Sequence, residues 1–195
     1  MWQAYLDANT HHAYLAAFVQ FLVLGTLGEV VSIMVRARRV HAPFGPAKLA
    51  LKALGWGLLG VYIKVMFLVA TAGVGALVAH GDLPAAFGEG GTLPYAFAVS
   101  TVLNLLIGPS MILLHRVIDN GIDRVLERRP ASWDGLRRSL MTLVWLWIPL
   151  HTFTFTQPRE LRIGVAALLS LLLGLVLGAL AGRAPAAPVP APAEP

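Results

Sequence analysis

The chain has 195 residues, 57% of them hydrophobic and 13% charged, whereas soluble domains carry about a quarter charged residues. With a mean hydropathy of +0.70, this composition excludes an ordinary soluble domain and names lipid as the solvent. The net charge of +5 does not mark a nucleic-acid binder, because the basic residues flank apolar spans and the aromatic residues lie within or beside them.

Cysteine is absent, which removes disulfides, thiol nucleophiles and cysteine-ligated metal or cluster sites. Residues 1–12 carry no Lys or Arg, unlike the positive start of a cleaved signal peptide, so the first span is expected to remain as an anchor. Five apolar stretches follow, at residues 13–35, 51–79, 93–114, 140–156 and 163–182. A helix needs about 20 apolar residues to cross the bilayer core, and the second stretch is long enough to tilt or protrude. The fourth is marginal, since Pro149 interrupts it and residues 151–156 alternate polar and apolar. In lipid an open strand edge is forbidden, so a helix or a protein-buried irregular segment is expected there. Residues 116–138 carry Ile118, Ile122 and Leu126 at helical spacing, as an amphipathic continuation of the third helix that stops near Pro130.

The expected fold is therefore all-α: an integral membrane bundle of about five transmembrane helices. Residues 1–183 make one domain, and the Pro/Ala-rich residues 184–195 form a disordered tail. The loops set an orientation. Arg36, Arg38, Arg39, Lys48 and Lys52, then Arg116, Arg124, Arg128, Arg129, Arg137 and Arg138, and finally Arg183 share one side, against Arg159 and Arg162 on the other. The positive-inside rule then puts the N-terminus outside and the C-terminus inside. A bacterial cytoplasmic membrane is the expected location.

Polar residues inside the spans are the informative ones. A charge at a helix centre costs about 2.5–3.5 kcal/mol even on a lenient scale, so it faces the interior and finds a partner. Glu29 in the first span and Lys64 in the second are such charges. Their depths allow a Glu29–Lys64 pair, either as a device that fixes helix register or as the lining of a polar path; Arg36 and Arg39 are alternative partners for Glu29. Asn104 and His115 on the third span and His151 on the fourth extend the candidate path. His115 and His151 differ in depth by more than a helical turn, which argues against a shared haem. Ser170, Gly174, Gly178 and Gly182 form a small-residue ridge that lets another helix approach closely.

No catalytic motif is present, so no enzyme activity, cofactor or metal is expected. Two functions compete: a channel-like or transport protein for small solutes, and a structural subunit or assembly factor of a larger membrane complex. The partners expected are the lipid bilayer and further copies of the chain or other membrane proteins.

Three segments carry a resemblance. Trp147, Pro149, Phe153, Phe155, Pro158 and Arg162 follow one another in the fourth span and beyond it; Gly25, Gly28 and Glu29 lie in the first; Gly108, Pro109, His115, Arg116 and Asp119 lie in the third. Together they resemble the Mpv/peroxisomal-membrane-protein family of small multi-helix proteins. In that family the Gly-Pro pattern sits on the second of four usual helices, whereas here it falls on the third of five. What the resemblance implies is pore-like permeation of small metabolites, with no chemistry transferred.

Overall fold

The computed structural model describes residues 1–181, with side-chain surroundings through residue 176; the expected tail and Gly182 lie outside the described residues. Every regular element among those residues is helical. A short helix α1 (Trp2–His11) leads into α2 (Ala13–Ala37) and the long α3 (Pro46–His80). Then come α4 (Leu93–Glu127), α5 (residues 136–156) and α6 (Arg162–Ala181). Helices α2, α3 and α4 are each long and apolar enough to cross a membrane.

The boundaries follow from local chemistry. Pro46 opens α3 in the first turn, where its missing N–H costs nothing, and Gly81 closes it at φ 83°. Thr92 caps α4 by accepting from the Tyr95 backbone N–H at 3.4 Å, with Pro94 in the first turn. The expected amphipathic continuation is present: α4 runs 35 residues without a break to Glu127 and ends at Arg128 in the left-handed conformation. At 1.5 Å per residue, α3 and α4 each reach about 52 Å, longer than a bilayer core of about 30 Å.

Helices α4 and α5 share an uncommon feature. Each contains one π-helical segment, Leu103–Ile107 in α4 and Leu143–Trp147 in α5, and the two segments pack against each other. Pro109 and Pro149 follow them after one residue, Gly108 and Ile148 respectively. A proline inside an α-helix loses one backbone hydrogen bond and collides with the carbonyl four residues earlier. A wider turn just before it takes up that collision without ending the helix.

The fourth apolar stretch is thus a helix throughout. Its threonines donate backwards to backbone carbonyls, Thr152 Oγ1 to Ile148 at 2.7 Å and Thr154 Oγ1 to Leu150 at 3.0 Å. These hydroxyls therefore present no unpaired donor to an apolar surrounding.

Helix α2 packs between α3 and α6, while α4 pairs with α5 and rests on α3. Close approach on both sides of α2 depends on glycine. The Trp56 ring lies where a Gly25 Cβ would stand, and a Gly174 Cβ would overlap the Gly28 backbone. Beyond these contacts Phe21, Phe67, Val74, Tyr95, Val99 and Phe155 form a buried apolar cluster. It fills the bundle at the end where α2 begins.

Candidate functional site

The charged ends of α3 and α4 meet as matching ladders. Lys48, Lys52 and Trp56 recur every four residues on α3; His115, Asp119, Asp123 and Glu127 do so on α4. That spacing puts each set on one helical face, and the antiparallel register pairs them rung by rung. Lys48 Nζ lies 2.7 Å from both Asp123 Oδ1 and Glu127 Oε1. Lys52 Nζ donates to Asp119 Oδ1 at 2.8 Å, and the Trp56 and His115 rings lie 4.5 Å apart.

Glu29 joins this network from α2. Its Oε1 accepts from Lys52 Nζ at 2.6 Å and its Oε2 from Trp56 Nε1 at 2.9 Å. The expected Glu29–Lys64 pair is thus corrected: the partner is Lys52, counted in the sequence reading among the loop cations but only 6% exposed here. The reason is register. Antiparallel packing sets Glu29 opposite Lys52, whereas Lys64 reaches the level of Ala13 at the start of α2.

Glu29, His115 and Asp119 present ligand atoms within 4.8 Å of one another, a spacing that a metal ion would accept. The Lys52 ammonium, however, already bridges the two carboxylates, and the cation in this cluster is that lysine. With each carboxylate of the pair bonded to it, the cluster is built as a fastening of α2, α3 and α4.

Next to this fastening lies a cavity of about 350 Å³ lined by residues from each of α2 to α6. Phe21 and Arg36 both line it from α2, and their separation along that helix makes the cavity about 22 Å long. A space so long and so small in volume is a slot. Arg36, at one end, is exposed and makes no hydrogen bond or ion pair among the described residues. The apolar cluster around Phe21 and Phe67 closes the other end.

Most of the lining is apolar, and most polar groups on it are already engaged. Both Glu29 oxygens are bonded as above, Tyr62 Oη shares a hydrogen with Ser110 Oγ at 2.6 Å, and Ser170 Oγ donates to the Ala166 carbonyl at 3.0 Å. Deeper in the slot stands a chain of neutral groups. Ser100 Oγ donates to the Ile148 carbonyl at 2.7 Å, and Asn104 Nδ2 to the Ser100 carbonyl at 2.8 Å. Asn104 Nδ2 and Oδ1 lie 3.1 and 3.2 Å from His151 Nδ1. The His151 ring stacks on Trp147, with centroids 5.0 Å apart, and meets the edge of Phe67 at 5.6 Å. Its Nε2 makes no hydrogen bond among the described residues.

No family model matches this chain, nor does any curated protein or solved structure show significant similarity to it.

Of the expected path, Glu29, Asn104 and His151 line one cavity, joined there by Ser170 and Gly174 from the ridge. His115 stands behind Trp56, 3.6 Å from Asp119. Lys64 belongs elsewhere, in a separate space of about 190 Å³ with Asn9, Thr10, Arg159 and Glu160. Gly178 lies in the backbone of α6. Sequence reasoning missed Lys52, although the two ladders of period four were visible and their charges complementary. Arg36, which shares a helical face with Glu29 and Ser32 and was expected as an alternative partner for Glu29, lines the cavity with them instead.

Proposed function

We propose that this chain is a transport protein for small solutes, channel-like in having one central path, and that the slot is its solute site. On this reading all five apolar helices span the membrane, the N-terminus lies outside, and Arg36 marks the inner mouth. A bacterial cytoplasmic membrane remains the assigned location, and the chain has no catalytic chemistry of its own. The observation that carries the reading is the slot itself: five helices contribute to one elongated space that ends at a guanidinium with no ion pair among the described residues on one side and at apolar residues on the other. Binding sites between bundle helices, mostly apolar with a few convergent polar groups, are the usual form of a small-molecule site. The family resemblance in the first, third and fourth spans points the same way.

The competing reading, a structural subunit or assembly factor, has the ridge Gly174–Gly182 and the aromatic-rich fourth span meet other proteins. Gly174 packs on the Gly28 backbone inside the bundle, so that reading rests on the fourth span, where Trp145 and Phe153 are exposed. The test is reconstitution into proteoliposomes, with efflux of a panel of small neutral and anionic solutes measured against protein-free vesicles. Flux above the control is expected, and Met111→Trp, which fills the slot without touching its polar groups, lowers it about tenfold or more. Wild-type protein indistinguishable from empty vesicles across the panel sinks the proposal.

A further inference from the structure

The slot offers few free polar contacts, and their placement selects a class of ligand. Near its mouth stand Arg36 and the Ser32 hydroxyl; at depth His151 Nε2 and the Trp147 indole N–H make no hydrogen bond among the described residues, in an uncharged setting beside Phe67 and Asn104. A charged ligand end placed there meets no counter-charge, which is costly in an apolar surrounding. An aromatic or quinonoid ring suits it, because Trp147 and Phe67 already offer ring faces and edges.

Asn104 adds a second selection. Its donation to the Ser100 carbonyl distinguishes the amide nitrogen from the amide oxygen, and both stand within hydrogen-bonding reach of His151 Nδ1. With Nδ1 bare, the amide N–H donates to it and Nε2 carries the proton. With Nδ1 protonated, it donates to the amide oxygen and Nε2 is bare. Either tautomer is supported, so Nε2 serves equally as donor and as acceptor.

We propose that the slot binds an uncharged, largely apolar ring compound of the quinone and quinol class. One ring oxygen bonds to His151 Nε2, the ring lies beside Trp147, and any apolar tail runs along Met66, Ile107 and Leu173 toward the mouth. The carbonyl of the oxidised form accepts from Nε2–H, and the hydroxyl of the reduced form donates to bare Nε2. No electron transfer by the chain is involved. This assignment rests on the slot being the solute site and names the class of solute that the site takes.

Calorimetric titration of the purified full-length protein in detergent, with a short-tailed benzoquinone and separately with its quinol, tests it. Saturable binding is expected for both forms, with dissociation constants within about tenfold of each other. His151→Phe weakens both by about tenfold or more, and His151→Gln, which keeps a donor and an acceptor, retains most of the binding. Absence of saturable binding, binding of one redox form alone, or undiminished binding in His151→Phe each overturns the assignment. The two-form comparison uses wild-type protein, so it decides the matter even where a variant does not accumulate. If the quinone fails to bind while other solutes still cross proteoliposomes, the ligand class is wrong and the transport reading stands; if neither occurs, both fall.

Discussion

The ladder end of α3 and α4 and the depth of the slot both bury polar side chains, yet they finish differently. At the ladder, Lys52 bonds Glu29 and Asp119, Trp56 takes the second Glu29 oxygen, and Lys48 bonds Glu127 and forms an ion pair with Asp123. In the slot, the Ser100–Asn104–His151 chain stops at a ring nitrogen with no hydrogen bond among the described residues. A buried polar group with full partners fixes helix position; one left with spare bonding capacity on a cavity wall is set up for a ligand. Charge alone does not separate the two cases, since the more highly charged cluster is the structural one.

The largest expected effect breaks the ladder. Lys52→Met strands two carboxylates against each other, and loss of one partner from a buried ion pair costs about 3–5 kcal/mol. A thermal melt in detergent should fall steeply or the protein should fail to accumulate. Adding Glu29→Gln and Asp119→Asn to Lys52→Met should recover most of the loss. A variant Lys52→Met with an unchanged melt means that the cluster does not fasten the helices.

Gly174→Leu comes next. Its side chain has no room against the Gly28 backbone, and overpacking of this kind costs about 1–3 kcal/mol, read as a lower melting temperature. A melt like the wild type's would mean that α2 and α6 do not pack as described.

His151→Phe sharpens the contrast from the other side. It should lower stability by about 1–3 kcal/mol at most, the cost of leaving the buried Asn104 amide without its ring partner, while solute flux falls. A melt as damaged as that of Lys52→Met would make His151 a structural residue.

The smallest effect belongs to Lys64→Met. This lysine has no ion pair among the described residues, and its neighbours are Asn9, Thr10, Arg159 and Glu160. Its replacement should shift stability by about 1 kcal/mol or less. Reversal of Glu29 and Lys64 together should behave no better than Glu29→Lys alone, because the two do not meet; mutual rescue would contradict the register of α2 on α3.

The helices were readable because apolar runs of this length have no alternative in lipid. The amphipathic end of α4 was readable from the spacing of Ile118, Ile122 and Leu126. The partner of Glu29 was not, because depth counted along single helices does not give the register between them. Lys52 also looks like a loop cation until Asp119 is set opposite it. Residues 151–156 alternate as a strand would in water, yet lipid left a helix or a buried irregular segment as the expectation; the helix forms because the threonine hydroxyls bond within it. The π-helical turns before Pro109 and Pro149 carry no sequence mark beyond the prolines themselves, yet their mutual packing sets how α4 and α5 meet around Asn104 and His151.

The claim that the slot is a solute-accessible space has a direct test, because the chain contains no cysteine. Single substitutions Ser32→Cys and Ser170→Cys place a thiol on the slot wall, and Leu172→Cys places one on the exposed outer face of α6. Their labelling by a small membrane-impermeant thiol reagent is then compared in native membranes opened to both sides. The account predicts that Ser32→Cys and Ser170→Cys label readily, that Leu172→Cys does not, and that Met111→Trp slows the labelling of Ser170→Cys. Labelling of Ser170→Cys no faster than that of Leu172→Cys would contradict it.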